Sequence, residues 1–223
     1  MSMLFSLDNA TVSYGGKAVL AGVSLAIGAG EKVALVGESG AGKSTLLRLL
    51  RAQQPAAVAW CPQAQGLVPV LSVFHNVYMG RLDRHSTFYN LLNLVSPRER
   101  EVNAVGNVAA ILGLGDRLFT SVDRLSGGQQ QRVALGRALF ADRPAFLGDE
   151  PVSAVDEYQA RDITQVITAT HETVVLALHD IDLALGTCER IIGLKDGRVA
   201  LDAPSSALTP HDLAPLYRRD ARP

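Results

Sequence analysis

Gly37-Glu38-Ser39-Gly40-Ala41-Gly42-Lys43-Ser44 decides the reading of this 223-residue chain. The run follows an apolar stretch, Lys32-Val33-Ala34-Leu35-Val36, and opens a helix-like one, Ser44-Thr45-Leu46-Leu47-Arg48-Leu49-Leu50. A strand, a glycine-rich loop and a helix in that order make a cradle for phosphate. Glycines let the backbone turn tightly enough for successive N–H groups to face one anion. The helix N-terminus adds partial positive charge. In such a loop the lysine, here Lys43, reaches the β- and γ-phosphates, and the hydroxyl of Ser44 ligates Mg²⁺. Residues 37–45, Thr45 included, are therefore expected to bind a nucleoside triphosphate.

Composition narrows the class. Apolar residues make up 48% of the chain and charged residues 19%, ordinary values for a globular protein with one substantial core. The net charge of −1 offers no broad basic surface, so nucleic acid is not an expected partner. No apolar run approaches the about 20 residues that span a bilayer. The start, Met1-Ser2-Met3-Leu4-Phe5-Ser6-Leu7-Asp8, has no basic segment ahead of an apolar one, so no signal peptide is expected. Cys61 and Cys188 fit no metal spacing and are expected to be reduced thiols of a cytoplasmic protein.

Along the chain, Phe5-Ser6-Leu7 and Thr11-Val12-Ser13-Tyr14 are strand-like, Gly15-Gly16 is a turn, and Val23-Ser24-Leu25-Ala26-Ile27 alternates with period two. Val58-Ala59-Trp60 is a further short strand. Residues 99–112 have helical spacing, with Val102, Val105, Ala109 and Leu112 on one stripe, Pro97 ahead and Gly113 and Gly115 behind. Ala145-Phe146-Leu147-Gly148 and Thr173-Val174-Val175-Leu176-Ala177-Leu178 are buried-type strands flanking an amphipathic segment, 157–168. That alternation predicts a mainly parallel sheet with covering helices. A hairpin around Asp196-Gly197 closes the sheet, and helical pieces follow near Ala207 and over residues 212–217. The expected organisation is one domain: a nucleotide-binding core with a β-subdomain over about 1–70 and 141–204, a helical subdomain over 71–140, and a tail over 205–223.

Leu125-Ser126-Gly127-Gly128-Gln129-Gln130-Gln131-Arg132 is a second glycine-bearing loop running into a helix; alone it is a weak motif, with a plain helix start as the alternative. Phe146-Leu147-Gly148-Asp149-Glu150-Pro151 brings two adjacent carboxylates to a strand end. Asp149 there can hold Mg²⁺ and Glu150 can polarise an attacking water. A polar cap on the strand is the alternative, but two neighbouring carboxylates repel without a cation. Together with the phosphate loop, these motifs resemble the ABC-type ATPases. The ordered elements are Tyr14, Gly37–Ser44, Gln63, Leu125–Gln129, Asp149–Glu150, Asp156 and His179, and they cover essentially the whole chain. The resemblance implies a P-loop NTPase (RecA-like) α/β core with an N-terminal antiparallel β-subdomain and a helical signature subdomain. It implies that Ser126, Gly127, Gly128 and Gln129 bind the γ-phosphate of ATP held by a second copy, in a head-to-tail homodimer. It further implies that Tyr14 stacks on adenine, Gln63 joins Ser44 and Asp149 around Mg²⁺, and His179 contacts the γ-phosphate beside Lys43 and Glu150. Asp156 lies in a loop that crosses the dimer interface, where it can also cap the next helix. Tyr14 could instead be a core aromatic, and His179 a structural strand-end residue.

Residues 72–82, 98–101 and 178–185 look like those of the ATP-binding subunits of phosphonate importers. That likeness implies an ATPase peripheral on the inner face of the cell membrane, an integral membrane permease as partner, indirectly a solute-binding protein, and a phosphonate-like oxyanion as cargo. An ABC exporter subunit and a soluble ABC ATPase acting on nucleic acid or ribosomes are the alternatives; a P-loop kinase would lack the Ser126–Gln129 loop. One departure stands out. Only residues 51–59 separate the phosphate-loop helix from the approach to Gln63, where the family usually has a longer stretch with a small hairpin. The edge of the β-subdomain is therefore expected to be frayed or differently covered.

Overall fold

Strand β3 (Lys32–Val36) is buried on both faces, with Val33, Ala34, Leu35 and Val36 all shielded from solvent. A continuous apolar run suits a strand with parallel neighbours and helices above and below. The computed structural model, which describes residues 2–217, shows that arrangement. β3, β4 (Val58–Cys61), β5 (Ala145–Asp149), β6 (Thr173–Ala177), β7 (Arg190–Lys195) and β8 (Arg198–Pro204) form one sheet in the order β4-β5-β6-β3-β7-β8. All pairings are parallel except the closing β7–β8 hairpin. The hairpin turns at Asp196 and Gly197, both at positive φ.

Alternation along the strands divides the interior into two cores. Ala34, Val36, Phe146, Val174 and Leu176 face a core shared with α2 (Val73–Tyr78), α4 (Glu99–Ile111), α5 (Gly127–Ala141), α6 (Glu157–Thr170) and α7 (Ile181–Thr187). Val33, Leu35, Leu147, Val175 and Ala177 face the other, filled by Leu46, Leu47 and Leu50 of α1 (Lys43–Gln53) and by Phe5, Leu20 and Ile27. Full burial of one such side chain contributes about 1.5–3 kcal/mol.

The strand-like pieces at the N-terminus are one continuous strand, β1 (Met3–Tyr14), paired antiparallel with β2 (Lys17–Gly28) in a separate two-stranded sheet. The register shifts between Leu7 and Ala10, where Asn9 takes a φ of 47°, so a bulge interrupts the alternation. The outer edge of β1 is met by α1. The Gln53 carboxamide accepts from Ser6 N–H at 3.0 Å and donates to Ser6 C=O at 2.7 Å, taking both bonds a neighbouring strand would take there. At Ser6 the edge is covered by one side chain from the helix end.

Between β4 and β5 the chain is helical, adding α3 (Thr87–Val95) to α2, α4 and α5. Asn76 ties the approach to α2: its carboxamide bonds the backbone of Val68 through both N–H and C=O and reaches the carbonyls of Leu71 and Ser72. After β8, α8 (Pro210–Leu213) and a short 3-10 turn return to the core, where Leu213 and Leu216 are buried. The tail residues beyond Tyr217 lie outside the described residues.

Candidate functional site

Register brings the sequence-predicted groups to one edge. Leu35 of β3 and Asp149 of β5 both pair with Ala177 of β6, and Gly148 pairs with Cys61 of β4. The residues that follow, Gly37, Glu150, His179 and Gln63, therefore leave the sheet together at the carboxyl ends of its parallel strands. That is where open α/β sheets bind ligands.

The phosphate loop depends on two glycine conformations. Gly37 has a φ of 139°, and a Cβ there would lie 2.2 Å from the Leu194 carbonyl oxygen. Gly42 has a φ of 106° and caps α1 in the left-handed region; a Cβ there would meet Leu20 at 2.6 Å. Lys43, only 6% exposed, folds back so that Nζ donates to Gly37 C=O at 2.6 Å and to Glu38 C=O at 3.0 Å. Burial pushes its pKa down, while Glu150 and Asp149 hold it up. The ammonium thus lies against the loop it serves, within reach of both carboxylates' fields.

Asp149 ends β5, 3% exposed. Burial pushes its carboxyl up from the usual value, with the Ser44 hydroxyl pulling the other way and Glu150 adding to the rise. Its Oδ1 is buried without a hydrogen-bond partner. An orphaned carboxylate oxygen costs free energy unless a cation or donor satisfies it. A hard cation beside Ser44 fits that donor set. Gly148 precedes it in a tight spot, since a Cβ would lie 2.9 Å from both Phe146 and Pro151 side chains.

Glu150 follows with a φ of 55°, a left-handed conformation that costs a non-glycine residue about 1–2 kcal/mol. Its N–H donates to Ala177 C=O at 3.1 Å, and its Oε1 lies 2.6 Å from His179 Nε2. Carboxylate and imidazole from neighbouring strand ends form a pair able to hold or move a proton. A cavity of about 320 Å³ opens beside them, lined by Glu150, Ser153, Glu157, His179, Asp180 and Leu183 among others.

The other expected groups come from different elements. Tyr14 ends β1 and is 57% exposed. Gln63 is exposed just beyond β4. Ser126 caps α5: its Oγ accepts from Gln129 N–H at 3.3 Å, and its own N–H donates to Gln129 Oε1 at 3.0 Å. The helix start and the signature loop are thus the same piece of chain. Gly128 packs close to Ala154 of the Ser153–Asp156 loop, and Asp156 caps α6 by accepting from Gln159 N–H at 3.0 Å.

Three contacts at the site were not anticipated. Gln131 Nε2 donates to Glu150 C=O and to Ser153 Oγ, each at 2.8 Å. Arg137 donates to the carbonyls of Gln65 at 2.6 Å and Gly66 at 2.8 Å, just after Gln63. The Tyr217 hydroxyl accepts from Gly37 N–H at 3.3 Å. The glutamine run signalled amide donors but not their partners; nothing in the sequence signalled the other two.

A parallel sheet with a glycine loop closing on a buried lysine, and a carboxylate pair on the next-but-one strand, defines a P-loop nucleoside triphosphatase. The family model for ABC transporters matches residues 20–57 and, in an overlapping piece, 51–153. The chain belongs to this family and is an ATP-binding ABC ATPase. It is 36% identical over 246 residues to a phosphonates import ATP-binding protein of Rhizobium johnstonii, covering 97% of this chain and 87% of that one. It is 38% identical over 248 residues to the protein of the same description from Pseudomonas entomophila, covering 98% and 93%. Among solved structures, a dimeric bacterial ABC transporter cassette superposes with a TM-score of 0.76 at 28% identity, covering 90% of this chain and 98% of that one. The Rhizobium alignment runs over more positions than this chain has residues, so that relative holds residues this chain lacks. The two matched pieces overlap at 51–57, which includes the end of α1 and the turn into β4, where Gln53 bonds Ser6 of β1.

Proposed function

We propose that this chain is the ATP-hydrolysing subunit of an importer for a phosphonate-like oxyanion, working as a head-to-tail homodimer on the cytoplasmic face of a membrane permease. The observation that supports it most is the convergence of Lys43, Asp149, Glu150 and His179 at one sheet edge. The relatives named for phosphonate import supply the transport assignment. A solute-binding protein would deliver the cargo to the permease.

In this reading residues 1–70 and 141–204 form the nucleotide-binding core and 71–140 the helical subdomain. Tyr14 stacks on adenine. The amides of residues 37–45 and Lys43 hold the phosphates. Ser44, Asp149 and Gln63 would hold Mg²⁺, which would supply positive charge to offset that of the phosphates. Glu150 orients the attacking water and accepts its proton, and His179 fixes the carboxylate and reaches the γ-phosphate. Ser126, Gly127, Gly128 and Gln129 of the second copy close the phosphate shell with backbone donors and a hydroxyl. Binding closes the dimer and hydrolysis opens it, a population shift that the helical subdomain passes on.

The permease side is supported by exposed apolar side chains on that subdomain: Phe88, Leu91, Leu94, Val95 and Phe119. Phe119 lies on Phe74, and Leu94 C=O accepts from His75, so the two parts of this set meet around α2. Such a patch marks an interaction surface. Among the described residues no helix is long and apolar enough to cross a membrane. The test is a gentle-detergent pull-down of the tagged Glu150→Gln variant from its native cells, with partners identified by mass spectrometry. A multi-spanning permease supports the reading. Recovery of ribosomal or nucleic-acid-bound proteins alone would overturn it.

A further inference from the structure

The three glutamines that open α5 point in three directions, because successive helical residues are turned by about 100°. Gln129 closes the cap on Ser126. Gln130 Nε2 donates to the carbonyls of Val122 and Leu125, both at 3.1 Å, and fastens the preceding loop. Gln131 alone crosses from the helical layer to the sheet edge, where it meets Glu150 C=O and Ser153 Oγ.

We propose that Gln131 is a positioning residue for ATP hydrolysis: from the signature helix of the same subunit, it holds the Glu150 peptide in the conformation that aims its carboxylate. This inference rests on the reading of Glu150 as the group that activates water. The Glu150 backbone is fixed at both ends. Its N–H is bound to β6 through Ala177 C=O. Its C=O accepts from Gln131 Nε2, from Ser153 Oγ–H at 3.1 Å and from Ser153 N–H at 3.3 Å. The two Ser153 bonds are local and weak in geometry, whereas the Gln131 bond is shorter and also orients Ser153 Oγ by donating to it. A non-glycine residue stays left-handed only where its surroundings over-determine it. Without the Gln131 donor, Glu150 is free to relax to negative φ, and its carboxylate swings away from His179. Gln131 is itself held: six residues on, Arg137 binds the carbonyls of Gln65 and Gly66, and the two grips fix both the rotation and the height of α5 against the core.

The test compares Gln131→Met and Gln131→Glu with the parent for steady-state ATP hydrolysis, ATP affinity and melting temperature. Methionine keeps length without a donor, and glutamate keeps shape with the N–H replaced by an acceptor. The expected result is a kcat lowered about tenfold or more by both, with KM for ATP and melting temperature little changed. A purely structural role would lower the melting temperature and move KM with kcat. If kcat stays within about twofold of the parent in both variants, the inference is wrong. Glu150→Gln is measured alongside. Should it hydrolyse at the parental rate, the reading of Glu150 itself fails. Should it be nearly inactive while Gln131→Met is unimpaired, only the positioning role fails.

Discussion

His179 Nε2 lies 2.6 Å from Glu150 Oε1, each residue standing just past the end of adjacent parallel strands. The parallel register makes this pair: Asp149 opposite Ala177 places the next residue of one strand beside the second residue beyond the other. Removing the imidazole leaves the carboxylate without its orienting partner. His179→Ala should lower kcat about 100-fold, the lower end of what one acid–base group contributes, and change ATP affinity far less. Phosphate release and nucleotide titration measure the two separately.

Asp149 makes a stability prediction with a definite sign. Burial raises its pKa above the ordinary 3.8, so the folded protein binds that proton more tightly than the unfolded chain. Stability falls as pH rises from 3.8 to the raised value and stays lower above it. At pH 7.5 without divalent cation, Asp149→Asn should therefore melt higher than the parent. On addition of Mg²⁺ and ATP the parent should gain stability and the variant much less. Equal gains in thermal melts would show that Asp149 does not hold the cation.

His171 has the opposite sign. It is buried against Phe146, its Nδ1–H donating to Ile167 C=O at 3.1 Å, and burial lowers its pKa from 6.5. The unfolded chain takes up the proton first, so stability present above 6.5 is lost as pH falls through that value. The melting temperature should drop between pH 7.5 and 5.5, and His171→Gln should flatten the drop. An unchanged slope in the variant would place the titration elsewhere.

The contiguous motifs were legible because their chemistry is local. Gly37 to Ser44 carries its own turn, donors and helix start, and Asp149-Glu150 carries its own strand end. His179 was legible only through the order of the family's motifs; on its own a strand-end histidine reads equally as structural. The same rule of alternation under-read β1, since the Asn9 bulge breaks the period and made one strand look like two. The shortened junction was visible as a missing stretch, but its remedy was not: a helix-end glutamine bonding Ser6, 47 residues back, has no periodic or motif signature. Tyr217 on Gly37 spans 180 residues, and Gln131 on Glu150 depends on which of three equivalent amides faces the sheet. Such contacts follow from the packed positions of helices, which residue type alone does not specify.

Glu150→Gln is the variant to measure first, by light scattering with and without ATP and by phosphate release. If this chain is an ATPase of the ATP-sandwich kind, the variant binds ATP, becomes a dimer only in its presence, and turns over about 100-fold more slowly than the parent or slower still. A variant that hydrolyses ATP at the parental rate, or that stays monomeric with ATP bound, contradicts the assignment of the site and of the dimer.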